Sequence, residues 1–324
     1  MLGSLETAGE RIAVTCRLPW VADLLKEGAG GDLREEFDPE ATISISIEVE
    51  REPFDVDGWT LLTRGAWQRG KEVVVTDPCT AGFDLHLRCS AECAEFRYRW
   101  RPPRKTRAAS LLLRSRFHLL ARAVLLQYPA LWWAGTRGRV PLHASACTDG
   151  TTTALVTAPS GVGRSTFVLE QIRAGSRATG DNLAVADGTT AWGLVEPLRI
   201  DGGTGRRMPH GRHEAELQDR VSALSPDRVV VLERGSADRS ELVPCTPEAA
   251  ARALITSTYM AGELRRYWAF AATLSAGTGF GPAHPPVTDV ASTLTHRLSC
   301  FSLLLGRKPA AATAHLLANS RVAA

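Results

Sequence analysis

Between Thr152 and Ala174 a short apolar run, a turn with two glycines and a helix-forming segment follow one another. No other feature limits the chain's fold as closely. Residues 152–157 (Thr-Thr-Ala-Leu-Val-Thr) have the character of a buried strand. Residues 167–174 have helical spacing, with Phe167, Val168 and Ile172 on one side and Gly175 placed as a C-cap. Between them stands Ala158-Pro-Ser-Gly-Val-Gly-Arg-Ser-Thr166. Strand, glycine turn and helix start make the setting of a phosphate loop, where freed backbone N–H groups and a helix N-terminus converge on an anion. Gly161 and Gly163 suit that role, because glycine tolerates positive φ and lets phosphate oxygens come close. The expected nucleotide-contacting residues are Ser160, Gly161, Val162, Gly163, Arg164, Ser165 and Thr166.

Against the P-loop pattern G-x-x-x-x-G-K-[ST] there are two departures. Ala158 replaces the first glycine and Arg164 the lysine, while Gly163 and Ser165 match. Ser165 would offer its hydroxyl to Mg²⁺. Arg164 keeps the charge but exchanges a compact ammonium for a planar fork, which is not a conservative change at a phosphate site. An ordinary strand-turn-helix would also account for the loop alone, so its neighbours decide.

Upstream lies Val140-Pro-Leu-His-Ala-Ser-Ala-Cys147, and after the loop's helix comes Gly175-Ser-Arg-Ala-Thr-Gly-Asp-Asn-Leu-Ala-Val-Ala-Asp187. In this order the chain resembles the HPr kinase/phosphorylase family and its peptide-modifying relatives, closely over 140–200 and in outline elsewhere. The resemblance implies an α/β fold with a C-terminal P-loop core, like those of HPr kinase and phosphoenolpyruvate carboxykinase, and the strand pattern of residues 1–105 adds a smaller β-rich N-terminal domain. It implies ATP, or another phosphate donor, together with Mg²⁺. Ser165 resembles the metal and phosphate ligand, and Asp181 the acid/base aspartate, which could equally help to hold Mg²⁺. His143 resembles the strand histidine beside the nucleotide; alone it would read as a core histidine. Asn182 stands where a second aspartate belongs, and Thr166 is a first-turn helix residue. The catalytic candidates are therefore Asp181, His143 and Arg164, and the metal candidates Ser165 and Asp181.

Phosphoryl transfer asks chiefly for positioning and charge neutralisation. Arg206, Arg207 and Arg212, in a glycine-rich loop, are candidate substrate or phosphate contacts, with a solvated basic turn as the equal alternative.

The 324 residues allow two domains, and 44% apolar content suits a globular chain. Lys+Arg of 38 against Asp+Glu of 35 gives +3, too balanced to argue for nucleic-acid binding. Seven dispersed cysteines without a Cys-x-x-Cys pair fit reduced thiols and a cytoplasmic setting. Cys79, Cys89 and Cys93 lack the histidine partners of a zinc motif and read as ordinary cysteines. No apolar run approaches the ~20 residues of a membrane span, and no secretory signal pattern opens the chain.

Residues 1–105 read mainly as strands, at 12–16, 42–50, 72–76, 83–88 and 95–100, with a short helix at 20–26. Ile43, Ile45 and Ile47 alternate with Ser44, Ser46 and Glu48, which gives one buried and one wet face. Pro102-Pro103 marks the expected boundary, dividing a β-rich domain (1–105, a candidate for substrate recognition) from a P-loop domain (106–324). A helix is expected over 108–127, with Leu112, Leu119, Leu120 and Leu126 inward. Beyond it come a strand at 227–233, helices at 247–257 and 263–274, a flexible loop at 275–281, a strand at 298–305 and a helix at 309–319.

The combined expectation is an ATP-dependent kinase acting on a serine or threonine hydroxyl of a peptide or protein. By resemblance, a precursor peptide is a credible acceptor. Two other classes stay open: a nucleotide-binding pseudokinase or scaffold, which Ala158, Arg164 and Asn182 favour, and a kinase of a small molecule. The expected partner is the peptide or protein substrate, without nucleic acid or membrane, and self-association into a homo-oligomer is left open.

Overall fold

The computed structural model describes residues 1–208, 211–218 and 220–307. It is a mixed α/β chain with several sheets, divided into two compact units. The first comprises Met1–Gly138, 207–208 and Arg266–Pro285; the second comprises Arg139–Arg206, Gly211–Arg265 and 286–307.

In the first unit, eight strands form one sheet: β1 (Leu2–Thr7), β2 (Glu10–Cys16), β3 (Ile43–Glu48), β4 (Thr60–Thr63), β5 (Ala66–Arg69), β6 (Glu72–Val75), β7 (Phe83–Cys89) and β8 (Ala94–Trp100). Their order is β1-β2-β3-β8-β7-β6-β5-β4, and β3 runs parallel to both β2 and β8. The alternation in β3 holds: Ile43, Ile45 and Ile47 are buried, while Ser44 is exposed. Five helices belong to this unit: α1 (Pro19–Ala29), α2 (Arg104–Leu112), α3 (Arg114–Arg122), α4 (Tyr128–Gly135) and the later helix Tyr267–Thr278.

The single helix expected over 108–127 is several pieces. Leu113 has φ −117 and ψ 46, which breaks the run between α2 and α3. A π-turn, Ala123–Gln127, then leads into α4. Pro129 explains it. In π register the N–H of residue 129 would serve the carbonyl of Val124, proline has no such donor, and the Tyr98 hydroxyl takes its place at 2.7 Å. Leu112, expected to be inward, is 81% exposed, because α2 buries no residue. Leu126 is buried, and Leu119 and Leu120 are half-buried.

The boundary expected at the proline pair lies inside this unit, since 106–138 belongs with the sheet. The aromatic contacts show why: Phe96 of β8 meets Trp132 of α4 at 5.9 Å, and Trp100 meets Phe117 of α3 at 5.6 Å. Nor is 275–281 wholly a loop. The helix continues to Thr278 and ends at Gly279 in the left-handed region, while Gly277 lies so close to Val73 that a Cβ would clash at 2.4 Å.

The second unit contains β9 (Val140–Leu142), β10 (Ala144–Thr148), β11 (Thr153–Thr157), α5 (Arg164–Arg173), β12 (Arg177–Ala178), β13 (Ala184–Ala186), β14 (Ala191–Gly193), β15 (Leu198–Asp201), β16 (Arg212–Ala215), β17 (Ala223–Leu224), β18 (Arg228–Arg234), β19 (Glu241–Pro244), α6 (Pro247–Met260), α8 (Val287–Arg297) and β20 (Ser299–Leu305), with Tyr267–Thr278 counted as α7. One sheet has the order β12-β10-β11-β18-β20-β19, in which β11, β18 and β20 are mutually parallel. A second has the order β17-β14-β13-β9, and β15 pairs with β16.

Alternation along β18 sorts the two faces of the larger sheet. Val230 and Leu232 join Ala154, Val156 and Leu303 against Phe167 of α5. Val229 and Val231 join Cys300 against Ala250 of α6. Burying each valine, leucine or phenylalanine among them stabilises the fold by roughly 1.5–3 kcal/mol. α6 begins as expected, with Pro247 in its first turn and the Thr246 side chain accepting from the Ala249 N–H. The helix expected at 309–319 lies outside the described residues. Among the described residues, no helix is long and apolar enough to cross a membrane. All seven cysteines are free thiols.

Candidate functional site

The hairpin turn at Thr148-Asp149-Gly150 launches β11. The Asp149 carboxylate accepts from the Thr151 and Thr152 N–H groups, and Gly150 takes φ +92. β11 runs through the middle of the sheet and ends at Thr157. The chain then turns through 158–163 into α5. Gly161 has φ +82 and Gly163 φ +125, conformations that side-chain-bearing residues avoid. Gly163 is the N-cap and has no side chain with which to accept from the first-turn amides of α5. The positive end of the helix dipole therefore lies at a turn whose residues 159–161 are exposed. At the other end, Gly175 N–H reaches Ile172 O and Ser176 N–H reaches Gln171 O, a Schellman closure that fixes the length of α5.

His143 and the 179–183 segment meet beneath this turn for a topological reason. β9 belongs to the smaller sheet and β10 to the larger, with His143 at the crossing. β12 and β13 cross between the same two sheets, β12 beside β10 and β13 beside β9. The two crossings lie side by side, and the His143 Nε2 sits 3.1 Å from the Asn182 Oδ1. Close approach is built in at Gly193, where a Cβ would stand 1.8 Å from the Thr179 carbonyl oxygen.

Arg164 points into this junction. Its Nε donates to the Asp181 carbonyl at 3.1 Å and its Nη1 to the His143 carbonyl at 2.8 Å. Its Nη2 donates to the Asn182 Oδ1. The residue is 6% exposed, and burial lowers its pKa against the pull of Asp181. All three guanidinium nitrogens thus serve the interior. Because a guanidinium only donates, the Asn182 atom it meets is the amide oxygen. The same oxygen must then accept from His143, which puts the imidazole proton on Nε2. Burial and the Arg164 charge push the His143 pKa down to about 4, so the ring is neutral.

Asp181 is 1% exposed. Its Oδ2 accepts from the Arg199 N–H at 3.3 Å, while its Oδ1 has no hydrogen bond of ordinary geometry among the described residues. Burial pushes its pKa up, and Arg164, the Ser165 hydroxyl and Arg199 oppose that shift. Among the described residues, His143 Nδ1 and Asn182 Nδ2 are likewise buried and without a partner. One donor and two acceptors left open in a single cluster are unusual, because buried polar groups nearly always find partners.

Sequence reasoning missed three further members. Glu196 Oε1 accepts from the Asn182 and Leu183 N–H groups, each at 2.9 Å, and holds that turn in place. Its Oε2 lies 3.6 Å from Arg199 Nη2, and Arg199 Nη1 donates to Glu263. Burial raises the Glu196 pKa to about 7 against the attraction of Arg199. Burial would raise Glu263 too, but the paired Arg199 holds it at about 2. Arg199, despite burial, is held above its ordinary value by Glu196 and Glu263. The signal lay in the sequence: a glutamate and an arginine three apart interrupt the apolar stretch 192–200.

The other expected residues are placed less closely together. Ser165, half-buried, and Thr166, exposed, lie in the first turn of α5, and Ser160 and Gly161 are exposed on the turn before it. Val162 packs against the core under α5. Arg212 opens β16 and lies 3.7 Å from the exposed Asp201, while the Arg206 carbonyl accepts from the Glu214 N–H. Arg207 belongs to the first unit. None of these contacts involves the 158–166 turn.

The residues at the turn fit a phosphate and a magnesium ion in a limited way. A Cβ at Gly161 would meet nothing within 4 Å, so the turn has open space above it. Asp181 Oδ1 and the Ser165 hydroxyl are oxygen donors suited to Mg²⁺. Among the described residues no group of three or more His, Cys, Asp or Glu could hold a metal ion. Phosphate oxygens and water would have to complete its shell.

No protein-family model matches the chain. No curated protein matches it either. Among solved structures, the chain aligns with the HPr(Ser) kinase/phosphatase from Coxiella burnetii at a TM-score of 0.23 and 16% identity. That alignment covers 29% of this chain and 65% of the other, a little under two thirds of the bacterial protein. A likeness so slight assigns neither fold nor function.

Proposed function

We propose that the second unit is a nucleotide-dependent phosphotransferase acting on a serine or threonine hydroxyl of a peptide or protein. The observation that carries this reading is the pairing of the uncapped turn 158–166 with the unpartnered carboxylate oxygen of Asp181, next to Ser165. Amides at the turn would cradle the donor's phosphates. Ser165 and Asp181 would hold Mg²⁺, which supplies charge neutralisation at the phosphates. Asp181 would take the acceptor hydroxyl's proton while the new O–P bond forms and the bond to the leaving diphosphate breaks. Asn182 Nδ2 and His143 Nδ1 add a free donor and a free acceptor to the same cluster, a set complementary to an alcohol. Since Asp181 is 1% exposed, the acceptor reaches it only when the groups covering it move.

A second reading, a nucleotide-binding scaffold without transfer, is favoured by Arg164, whose three nitrogens are engaged inside. Affinity for Mg·ATP by calorimetry, beside phosphate incorporation into a panel of serine peptides by mass spectrometry, separates the two. The kinase reading expects binding and transfer in the parent, and retained binding with lost transfer in Asp181→Asn. Binding by the parent without transfer to any peptide would favour the scaffold. Full transfer by Asp181→Asn would remove that residue from the chemistry.

A further inference from the structure

With Arg164 turned inward, the turn lacks the cation that its motif position would supply. We propose that Arg234 supplies it, as the residue that binds the terminal phosphates of a nucleoside triphosphate or another oligophosphate at the turn. The inference rests on the nucleotide reading above and adds the identity of the charge.

Register and alternation place Arg234. The last residue of β11, Thr157, pairs with Val231, so β18 runs three residues further, alongside the turn that follows β11. Arg234 shares parity with Val230 and Leu232, whose side chains pack against Phe167 of α5. It therefore emerges on the face of the sheet that carries the turn. Its Nη2 donates to the Gly161 carbonyl at 2.8 Å, which fixes the guanidinium at the turn's rim. The side chain is exposed, and among the described residues its Nε and Nη1 have no protein partner. Nη2 carries a second N–H, which with Nε on one side or Nη1 on the other makes a fork of the kind that grips phosphate oxygens in pairs. The carboxyl ends of parallel strands, where Arg234 stands, are also where open α/β sheets take their ligands.

The anion site does not rest on the helix end alone. Asp181, 1% exposed and next to Ser165 in the first turn of α5, has an Oδ1 with no partner among the described residues, so a carboxylate oxygen beneath the turn awaits a cation of the kind that accompanies a bound oligophosphate.

The test measures affinities of the parent chain, Arg234→Gln and Arg234→Lys for Mg·ATP, inorganic tripolyphosphate and AMP, with thermal melts to establish folding. Glutamine can keep the hydrogen bond to Gly161 while removing the charge, which separates tethering from phosphate binding. The expected result is a loss of about tenfold or more for Mg·ATP and tripolyphosphate in Arg234→Gln. Arg234→Lys should recover part of that loss, and AMP should be unaffected. Equal Mg·ATP affinity in the parent and a folded Arg234→Gln variant would overturn the assignment while leaving the nucleotide reading intact. No binding of ATP or tripolyphosphate by the parent would overturn both.

Discussion

Arg164 and Asn182 are the two residues that depart most from the motifs around them, and they are hydrogen-bonded to each other. An arginine fork needs acceptors, and the Asn182 amide oxygen is one that also serves the His143 Nε2–H. The exchange of lysine for arginine thus moves the side chain from the turn into the junction. Arg164→Lys cannot reach all three acceptors with a single ammonium; the Asn182 oxygen keeps the His143 N–H and the His143 carbonyl keeps the Thr157 hydroxyl, while an Asp181 carbonyl left buried without a donor costs about 1–3 kcal/mol. We expect Arg164→Lys to lower the melting temperature and to bring no gain in nucleotide affinity. Adding Asn182→Asp should return part of the lost stability, because a carboxylate pairs with the ammonium more strongly than an amide does. A double-mutant cycle on thermal stability reads the coupling, and strictly additive losses would show that the two sites are independent.

At the scale of elements, two strands broken at the same level bring His143, Asp181 and Asn182 together, and the Glu196–Arg199–Glu263 chain holds them. This arrangement has a definite pH signature. Glu196, raised to about 7, gives stability that is complete below about 4.5 and lost as pH rises through about 7. His143, lowered to about 4, gives stability that is present above 6.5 and lost as pH falls through about 4. Between roughly 4.5 and 6.5 the folded chain holds a proton on Glu196 that the unfolded chain holds on His143, so their slopes cancel. In Glu196→Gln the histidine contribution stands alone. Urea melts without nucleotide should show that variant losing stability on acidification across this window more steeply than the parent. Parallel slopes would mean that Glu196 does not hold the proton.

Much at this scale was legible. The alternation in β3, the strand-turn-helix at 153–173, the cap of α6 and the strand β18 follow from local spacing and turn chemistry. The inward turn of Arg164 was not legible, because it depends on acceptors supplied by two other segments. The helical run after residue 103 departs in part from its periodicity. A proline at 129 and a tyrosine thirty-one residues earlier settle its π-turn, and no periodicity signals that partnership.

For the whole molecule, the two units differ in kind. The first is one mixed sheet with helices, among which α2 buries no residue and leaves Leu111, Leu112 and Leu113 exposed. The proline pair reads as a boundary because prolines stop strands, yet a strand stop is not a domain edge: Phe117 and Trp132 lie beyond it and pack against β8 residues. The second unit carries the turn, the buried polar junction and Arg234. A ligand that binds only the folded second unit should raise its stability in proportion to the logarithm of ligand concentration. With Mg·ATP, the melting transition should therefore climb steadily, and Mg²⁺ alone should move it little, since among the described residues no three metal-binding side chains converge. A rise with Mg²⁺ alone equal to that with Mg·ATP would place the metal elsewhere than at a phosphate.

The central claim is that a phosphate donor sits on the backbone amides of the 158–166 turn. Amide hydrogen exchange, measured by mass spectrometry with and without Mg·ATP, tests it where it is made. Bound Mg·ATP should slow exchange over 160–166 and over 179–183, with the rest of β11 and α5 unchanged. Unaltered exchange at 160–166 under saturating Mg·ATP, or protection confined to other segments, would contradict it.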